Sequence, residues 1–298
     1  MKLSDKTIEQ VKENRDLIES RDWLKIWETL KNPELNEAFV ELGYNPLEGL
    51  PEVPKHYFEG TGITKIVIPD SVTSIGDYAF RNCSSLTSVT IGDGVESIGY
   101  AALAGCSSLT SIEIPNSVTT IKPYAFYNCS SLTSVVISDS VTSIGSDVFK
   151  DCDSLTRVDY TGTLDQWAQI KFDNSYSNPV SFDNKFYIAG KLITEAKITT
   201  NISDHAFAAF TELTSVEIRD GVTSIGELAF YGCPLTSIII PQSVISIGPQ
   251  AFYYCSSLRN IVYKGTVRQF RAIDKLKWWN YGVPETEVIC TDGEIKMG

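Results

Sequence analysis

The sequence repeats itself every 23 residues, and this period restricts the fold more than any other feature of the chain. The block that begins at Ser71 reads SVTSIGDYAFRNCSSLTSVTI and returns as GVESIGYAALAGCSSLTSIEI, SVTTIKPYAFYNCSSLTSVVI and SVTSIGSDVFKDCDSLTRVDY. A fixed period of about 20–50 residues is typical of solenoids, whose units are stable only because neighbouring units cover their apolar faces. The chain is therefore expected to form one elongated α/β repeat solenoid instead of two globular domains.

Three positions in each block predict the buried side of the repeat. They are the positions of Phe80, Cys83 and Leu86, which return at 23-residue intervals. The segment LTSVTI ends in alternating β-branched residues, which favours a strand, and SVTSIG predicts a second, shorter strand. Between them, DYAFRNC predicts one turn of α-helix or 3₁₀-helix that directs Phe80 inward. Strands of the first type are expected in segments that begin at positions 63, 86, 109, 132, 155, 193, 213, 235 and 258.

The cysteines follow the repeat, which indicates a packing role. Six of the seven stand at the same position of their unit, where Phe210 also occurs: Cys83, Cys106, Cys129, Cys152, Cys233 and Cys255. A position that accepts Cys or Phe is a buried apolar slot, which suits a free thiol. There is no CxxC pair with an accompanying His, so no zinc site and no other metal site is expected. Neighbouring repeats lie close enough to permit a disulfide in principle.

The positions at which the 23-residue repeat is interrupted divide the chain into five segments. Residues 1–56 carry helical apolar spacing and then a Pro-rich connector, which predicts an N-terminal helical cap; the alternative is a separate partner-binding module. Residues 57–160 form a first array, 161–191 an insert with a small core of its own around Trp167, 192–263 a second array, and 264–298 a C-terminal cap. The cap is expected to duplicate the insert, because YTGTLDQWAQI returns as YKGTVRQFRAI after 103 residues.

Charge and hydropathy exclude two classes of partner. The formal net charge of −12 repels phosphate backbones, so no nucleic acid is expected. No apolar run approaches the roughly 18 residues that span a bilayer, so no membrane insertion is expected. The first 16 residues have no apolar core of a signal peptide. The sequence therefore predicts either an intracellular protein or one whose export signal was removed.

The unit IPxSVTSIGxxAFxxCSSLTSVxI, the insert YxGTxxQW and the sequence CTDG at Cys290–Gly293 closely resemble the BspA-like leucine-rich repeat family. The resemblance covers about residues 57–298 and implies a right-handed leucine-rich-repeat stack. Members occur in bacteria, phages and protists, and many are surface proteins proposed to adhere to host or bacterial proteins. The family brings no catalytic residues and no cofactor with it.

No pattern in the chain predicts catalysis. The two histidines are not spaced with a nucleophile: His56 lies near the start of the repeats, and His205 is expected to be an exposed variant of a position that carries Tyr78 or Asp147 elsewhere. No glycine-rich phosphate loop is present. An enzyme, such as a ubiquitin-ligase-like effector, is the alternative from a different class, but no catalytic module lies outside the repeats.

Two exposed surfaces are candidates for binding a partner. The first is a charged cluster on the concave strand face, formed by Glu113, Arg157, Asp159, Glu195, Lys197 and Glu217. The second is an aromatic row next to the buried phenylalanines, formed by Tyr127, Tyr231, Tyr253 and Tyr254. We expect a monomer that recognises a host or bacterial protein, as in adhesion. The alternative is an intracellular or phage-encoded inhibitor that covers a protein through its acidic surface.

Overall fold

The computed structural model describes residues 45–180, 184–276, 278–284 and 286–297. They form two compact units. The first contains the described residues up to 135 together with 149–155, and the second contains 136–148 and the described residues from 156 onward. Most of the N-terminal helical cap predicted for residues 1–56 falls on residues 1–44, which lie outside the described residues.

The first unit is built from alternating short and long strands. In chain order these are β1 (Glu52–Val53), β2 (Lys65–Ile68), β3 (Ser74–Ile75), β4 (Ser88–Ile91), β5 (Ser97–Ile98), β6 (Ser111–Ile114) and β7 (Thr120–Ile121), followed by β8 (Ser134–Ile137), which contains the boundary between the units. The short strands β1, β3, β5 and β7 pair in parallel, and β2 pairs in parallel with β4. In β4 the buried Val89 and Ile91 alternate with exposed Ser88 and Thr90, as the strand pattern predicted.

The second unit continues this alternation and adds two short helices. Its elements are β9 (Ser143–Ile144), β10 (Arg157–Tyr160), α1 (Leu164–Gln169), β11 (Lys171–Phe172), β12 (Lys185–Ile188), β13 (Lys191–Leu192), β14 (Glu195–Ile198), β15 (Ser215–Ile218), β16 (Ser224–Ile225), β17 (Ser237–Ile240), β18 (Ser246–Ile247), β19 (Asn260–Tyr263), α2 (Val267–Ala272), β20 (Asp274–Lys275), β21 (Thr286–Cys290) and β22 (Gly293–Met297). One sheet of this unit has the order β14-β15-β17-β19-β21-β22, and a short ladder has the order β16-β18-β20.

The phenylalanine position forms an internal column of stacked rings. Phe207, Phe230 and Phe252 are buried, and adjacent ring centroids in this series lie 5.5 Å apart. In the first unit Phe126 stacks on Phe149 at the same distance. Leu103 takes this position in its own repeat and is also fully buried. The inward phase predicted from the period is therefore confirmed, and stacked ring contacts add to the burial of apolar surface.

Left-handed residues, and not a helical turn, connect the short strand to the long strand of each repeat. Tyr78 and Asn82 have φ angles of 59° and 58°, which an α-helix or 3₁₀-helix does not allow. The N–H groups of Tyr78, Phe80 and Asn82 donate to carbonyl groups of the next repeat at 2.8, 2.7 and 2.7 Å. The prediction of α-helix or 3₁₀-helix was wrong here. Alternate N–H groups point along the stack, and the intervening ones close turns within the repeat.

The cysteine position is occupied by buried free thiols that bond between repeats. All seven cysteines are free. In each of the six repeat positions Sγ donates to a carbonyl of the preceding repeat, over distances between 2.9 and 3.3 Å. The acceptor is the residue at the stacked phenylalanine position, for example Phe58 for Cys83. A small side chain with a weak donor therefore fits this slot.

The two segments outside the period supply further turns of the same kind. In the segment predicted to be an insert, β11 pairs in parallel with β9 and β12 pairs in parallel with β10. In the C-terminal segment, β20 pairs with β18 and β21 pairs with β19. The helices α1 and α2 each begin with a capping box, formed by Thr163 with Gln166 and by Thr266 with Gln269. The duplication predicted from the sequence is therefore present in the local structure.

The aromatic side chains of the insert pack on one another, as predicted, and also on both arrays. Trp167 lies 5.5 Å from Phe172 and 4.5 Å from Phe186, between ring centroids. Trp167 is fully buried and contacts Tyr160 of the first array, at 5.1 Å between ring centroids. It also contacts Phe210 of the second array at 6.2 Å, and its Nε1 donates to the carbonyl of Ala206 at 2.7 Å. Tyr176, in contrast, is 57% exposed. The apolar side chains of this segment therefore extend the core of the stack.

Candidate functional site

The charged residues predicted as one cluster lie on separate strands. Glu113 lies on β6 in the first unit, whereas Arg157 and Asp159 lie on β10 in the second. In its sheet β10 lies between β8 and β12, while Glu195 lies on β14, which begins a different sheet. The 23-residue period predicted that β10 and β14 are neighbours, because it did not identify β12 as a strand between them.

Two of these charges are largely neutralised within their own strand. The Nε and Nη2 atoms of Arg157 donate to the two carboxylate oxygens of Asp159 at 2.6 and 2.8 Å. This hydrogen bond raises the pKa of Arg157 above its usual value. The guanidinium also lies over the ring of Tyr187 on the neighbouring strand, 4.1 Å from its centroid. Because the guanidinium of Arg157 is already bonded to Asp159 and stacked on Tyr187, few of its N–H groups and little of its charge are available to a partner.

Two of the remaining charges, those of Lys197 and Glu217, also have partners nearby. Lys197 lies opposite Glu217 on the adjacent strand, with 3.7 Å between Nζ and Oε2. Glu217 also forms an ion pair with Arg219, with 3.3 Å between Oε1 and Nε. Farther along the same row, Ile239 and Val262 replace charged residues. Most charges of this strand face are therefore paired with charges of the opposite sign, and aliphatic side chains interrupt the row.

The aromatic row of the second unit forms a continuous exposed stack. Tyr231 stacks on Tyr253 with 5.9 Å between centroids and 22° between planes, and Tyr253 stacks on Tyr281 at 5.2 Å and 19°. Tyr254 meets the edge of Tyr253 at 4.4 Å. We call these four residues the tyrosine ladder. Tyr254 and Tyr281 are 51% and 55% exposed, so a large aromatic surface faces solvent.

The position of these tyrosines follows from the turn of the repeat. Because Phe230 and Phe252 point inward, the residues that follow them, Tyr231 and Tyr253, point outward. The N–H of Tyr254 donates to the carbonyl of Tyr281 at 3.0 Å, which aligns this turn with the next one. A Cβ atom on Gly282 would lie 2.7 Å from the ring of Tyr254, so glycine is required for the ladder to close.

Tyr281 is a ladder residue that sequence reasoning missed. It stands 28 residues after Tyr253, because the C-terminal repeat contains α2 and a longer turn. The available signal was the Tyr-Gly pair at 281–282, which matches Tyr231-Gly232. The hydrogen bond with the side chain of Tyr254 raises the pKa of Tyr253, so its hydroxyl stays protonated at neutral pH. The ladder is therefore an uncharged surface with hydroxyl groups at its edge.

Tyr127, the fourth predicted aromatic residue, belongs to a second aromatic group in the first unit. It meets the edge of Tyr124 at 5.8 Å, and Tyr124 lies 5.5 Å from Tyr100. Tyr100 in turn meets Tyr78 at 5.3 Å. These four rings surround a depression of about 200 Å³. The aromatic row predicted from the sequence is thus present as two groups, one in each unit.

The titratable side chains that the structure describes form no recognisable catalytic arrangement. Among the described residues, no group of three or more His, Cys, Asp or Glu could hold a metal ion. Burial raises the pKa of Cys83 to about 11 and that of Cys255 to about 12, which leaves almost no thiolate at neutral pH. His205 is half-buried, not exposed as predicted, and burial lowers its pKa. His56 is held by Glu59 and stacks on Tyr78.

The comparisons with known proteins concern the repeat region. The family model for a BspA type leucine rich repeat region matches residues 51–178 and 181–273, with six copies. No curated protein matches the chain. No helix among the described residues is long and apolar enough to cross a membrane.

Three solved structures are similar to parts of this chain. A protein from Bacteroides ovatus is 25% identical with a TM-score of 0.50, and the match covers 79% of this chain and 68% of that one. A leucine rich cell surface protein from Faecalibacterium prausnitzii is 26% identical with a TM-score of 0.34, over 74% of this chain and 85% of that one. The pneumococcal vaccine antigen PcpA is 19% identical with a TM-score of 0.43, over 77% and 69%.

Proposed function

The chain belongs to the BspA-type leucine-rich repeat family, and on this premise we propose that it binds another protein, without catalysis, through the tyrosine ladder of its second unit. The observation that carries this proposal is the stack of Tyr231, Tyr253 and Tyr281, with Tyr254 against its edge. Proteins of this repeat type generally lack catalytic activity.

The ladder suits binding because its rings are already ordered. Tyrosine offers a large contact area with few rotatable bonds, and rings that are already stacked lose little entropy when a partner arrives. Trp278, which is 54% exposed, precedes Tyr281 in the same turn. Exposed Tyr and Trp are the residue types that most often dominate binding energy at protein interfaces. The net charge of −12 would additionally steer basic partner surfaces toward the protein.

The paired charges of the strand face are the weaker candidate. Arg157 with Asp159, and Lys197 with Glu217, already have partners at 2.6 and 3.7 Å. A partner would have to replace these contacts at a desolvation cost, and surface ion pairs contribute little net energy. We therefore assign these residues, together with Glu113 and Glu195, to tuning the rate of association and not to anchoring.

Because many members of the family are surface proteins proposed to adhere to other proteins, we favour adhesion to a host or bacterial protein as the biological role of the ladder. An inhibitor that covers a host protein from inside a cell would use the same ladder. The two settings differ in location: antibodies against the ladder unit should label intact cells in the first and only permeabilised cells in the second. We propose that the protein acts as a monomer in both.

The binding experiment uses a partner first isolated by affinity capture and then purified. We expect Tyr254→Ala and Tyr281→Ala each to raise the dissociation constant by about tenfold or more, as interface hot spots do. Tyr176→Ala is the matched control, since Tyr176 is equally exposed but lies outside the ladder. The double variant Glu113→Lys with Glu217→Lys should mainly lower the association rate and its dependence on salt.

The same set of variants contains the results that would overturn the proposal. If the charge reversals abolish binding while the tyrosine variants bind normally, the strand face is the site. If neither set changes the dissociation constant, the partner is held by a different part of the chain.

A further inference from the structure

A cleft in the first unit is lined by aromatic rings that do not belong to the tyrosine ladder. Its walls are the rings of Tyr78, Tyr100, Tyr124 and Tyr127, its floor is formed by Ala101 and Ala104, and its volume is about 200 Å³. We call it the tyrosine cleft. We propose that it binds a proline-rich segment of a partner protein in the polyproline II conformation.

The cleft exists because one repeat lacks its outward side chains. The preceding repeat carries Tyr78 and Arg81 at the two outward positions of the turn, and the following repeat carries Tyr124 and Tyr127. The repeat between them has Ala101 and Ala104 at these positions. Its backbone is the same, since Ala101 is left-handed with φ 48° like its larger equivalents at 59° and 62°. The cleft is thus a feature of side chains on an unchanged backbone.

The charges around the cleft argue against a cationic ligand. Aromatic cages bind cations through their ring faces, but the face of Tyr78 is already approached by Arg81 at 5.4 Å and by Lys55 at 5.6 Å. Arg81 is paired with Glu59 at 3.5 Å, so the carboxylate there is also occupied. An added cation would meet two cations of the protein itself. The occupant is therefore expected to be neutral where it contacts the rings.

The polar groups of the cleft fit exposed carbonyl groups. Within the described residues, the hydroxyls of Tyr78 and Tyr100 make no hydrogen bond, so both can donate to a ligand. A polyproline II segment has no internal hydrogen bonds, and its carbonyl groups are open to donors. A sugar would need more fixed polar partners than these two hydroxyls offer. Aromatic rings with a donor at the rim are the usual recognition surface for proline rings.

The spacing of the repeats also matches this ligand. Tyr78 and Tyr124 lie two repeats apart, which corresponds to about 9.6 Å at the usual distance between paired strands. One turn of polyproline II contains three residues and advances about 9.3 Å. Residues one turn apart in the ligand would therefore contact Tyr78 and Tyr124, which flank Tyr100 at 5.3 and 5.5 Å between ring centroids. This match holds for a segment that runs along the direction of the stack.

The test measures the fluorescence anisotropy of a fluorescein-labelled ten-residue polyproline peptide with the full chain. We expect saturable binding that a Gly/Ser peptide of equal length does not reproduce. The double variant Ala101→Tyr with Ala104→Tyr should weaken it at least about tenfold by filling the cleft. Both changes introduce residues that a neighbouring repeat carries at the same position, so the fold should tolerate them. Leu228→Tyr is the matched control, at the same left-handed position (φ 52°) in the second unit.

Three results would overturn the proposal. The first is no saturable binding of the polyproline peptide, and the second is binding that the filled cleft does not weaken. The third is binding of a cellohexaose or trimethyl-lysine peptide probe that the double variant abolishes while polyproline binds no better than Gly/Ser. Because the proposed function is tested by Tyr254 and Tyr281 in the other unit, failure at the cleft is distinguishable from failure at the ladder.

Discussion

The indole Nε1 of Trp167 donates a hydrogen bond of 2.7 Å to the carbonyl oxygen of Ala206, 39 residues farther along the chain. This contact joins the turn that contains α1 to the first turn of the second array. The amide of Asn178 donates to the same carbonyl at 3.0 Å. The segment that interrupts the period is therefore held by buried polar contacts as well as by apolar packing.

Replacing Trp167 tests how much of this junction depends on the hydrogen bond. We expect Trp167→Phe to lower the free energy of unfolding by about 1–2 kcal/mol, since the Ala206 carbonyl keeps the Asn178 donor. Trp167→Ala should cost about 3–5 kcal/mol, because it also leaves a cavity. Urea denaturation measures both. Phe270 stands at the equivalent position of α2, so a folded Phe variant has a precedent within the chain. If both variants lowered the free energy of unfolding equally, this separation of the hydrogen bond from the packing contribution would be wrong.

The inward phase of the repeat is tested by a pair of adjacent residues. Phe126 is fully buried and stacks on Phe149, whereas Tyr127 is half-buried at the edge of the tyrosine cleft. We expect Phe126→Ala to lower the free energy of unfolding by about 3–5 kcal/mol and Tyr127→Ala by less than about 1 kcal/mol. Comparable losses in denaturant melts would mean that the two residues contribute equally to the packed core.

Thiol reactivity should separate one cysteine from the other six. Burial raises the pKa of Cys83 to about 11 and that of Cys255 to about 12, so their thiolates are scarce until the chain unfolds. Cys290 is only partly buried and should react first with iodoacetamide at pH 8. Mass spectrometry of the native and unfolded protein measures the order. The variant Cys290→Ser should remove the fast phase, and rapid modification of Cys106 would contradict the prediction.

The pH dependence of stability should contain a contribution from His205. Burial lowers its pKa, although Asp204 and Glu227 act in the opposite direction, and its Nδ1 is buried without a hydrogen-bond partner. The unfolded chain therefore binds this proton more readily than the folded chain as the pH falls through about 6.5. We expect the free energy of unfolding to decrease as the pH falls from 7.5 to about 5.5, and less so in His205→Gln. Parallel pH curves for the two proteins would refute this.

The repeat itself was predictable because it depends on local chemistry. Alternating β-branched residues predicted β4 and its equivalents, and the strictly periodic Phe80, Cys83 and Leu86 predicted which side chains are buried. The same periodicity carried the assignment to the family. Each of these inferences needed only the order of residues within one unit and its return in the next unit.

The conformation of the turn could not be read from the same pattern. DYAFRNC has apolar spacing that suits a helix, but Tyr78 and Asn82 adopt left-handed φ angles. They do so because three N–H groups of this turn bond to the next repeat, including Tyr78 to Tyr100. Local preference cannot predict such bonds, since their acceptors lie about one full period away in the sequence.

The sequence by itself determined the period, the buried phases and the family, because those depend on which residues recur at a fixed spacing. Only the tertiary structure decided that β12 and β21 are further strands of the stack, and that Tyr281 stacks on Tyr253. It also decided that the guanidinium of Arg157 donates hydrogen bonds to Asp159 on the same strand. The physical reason is that α1 and α2 break the sequence period, whereas the strands that follow each helix still pair with strands of the preceding turn through backbone hydrogen bonds.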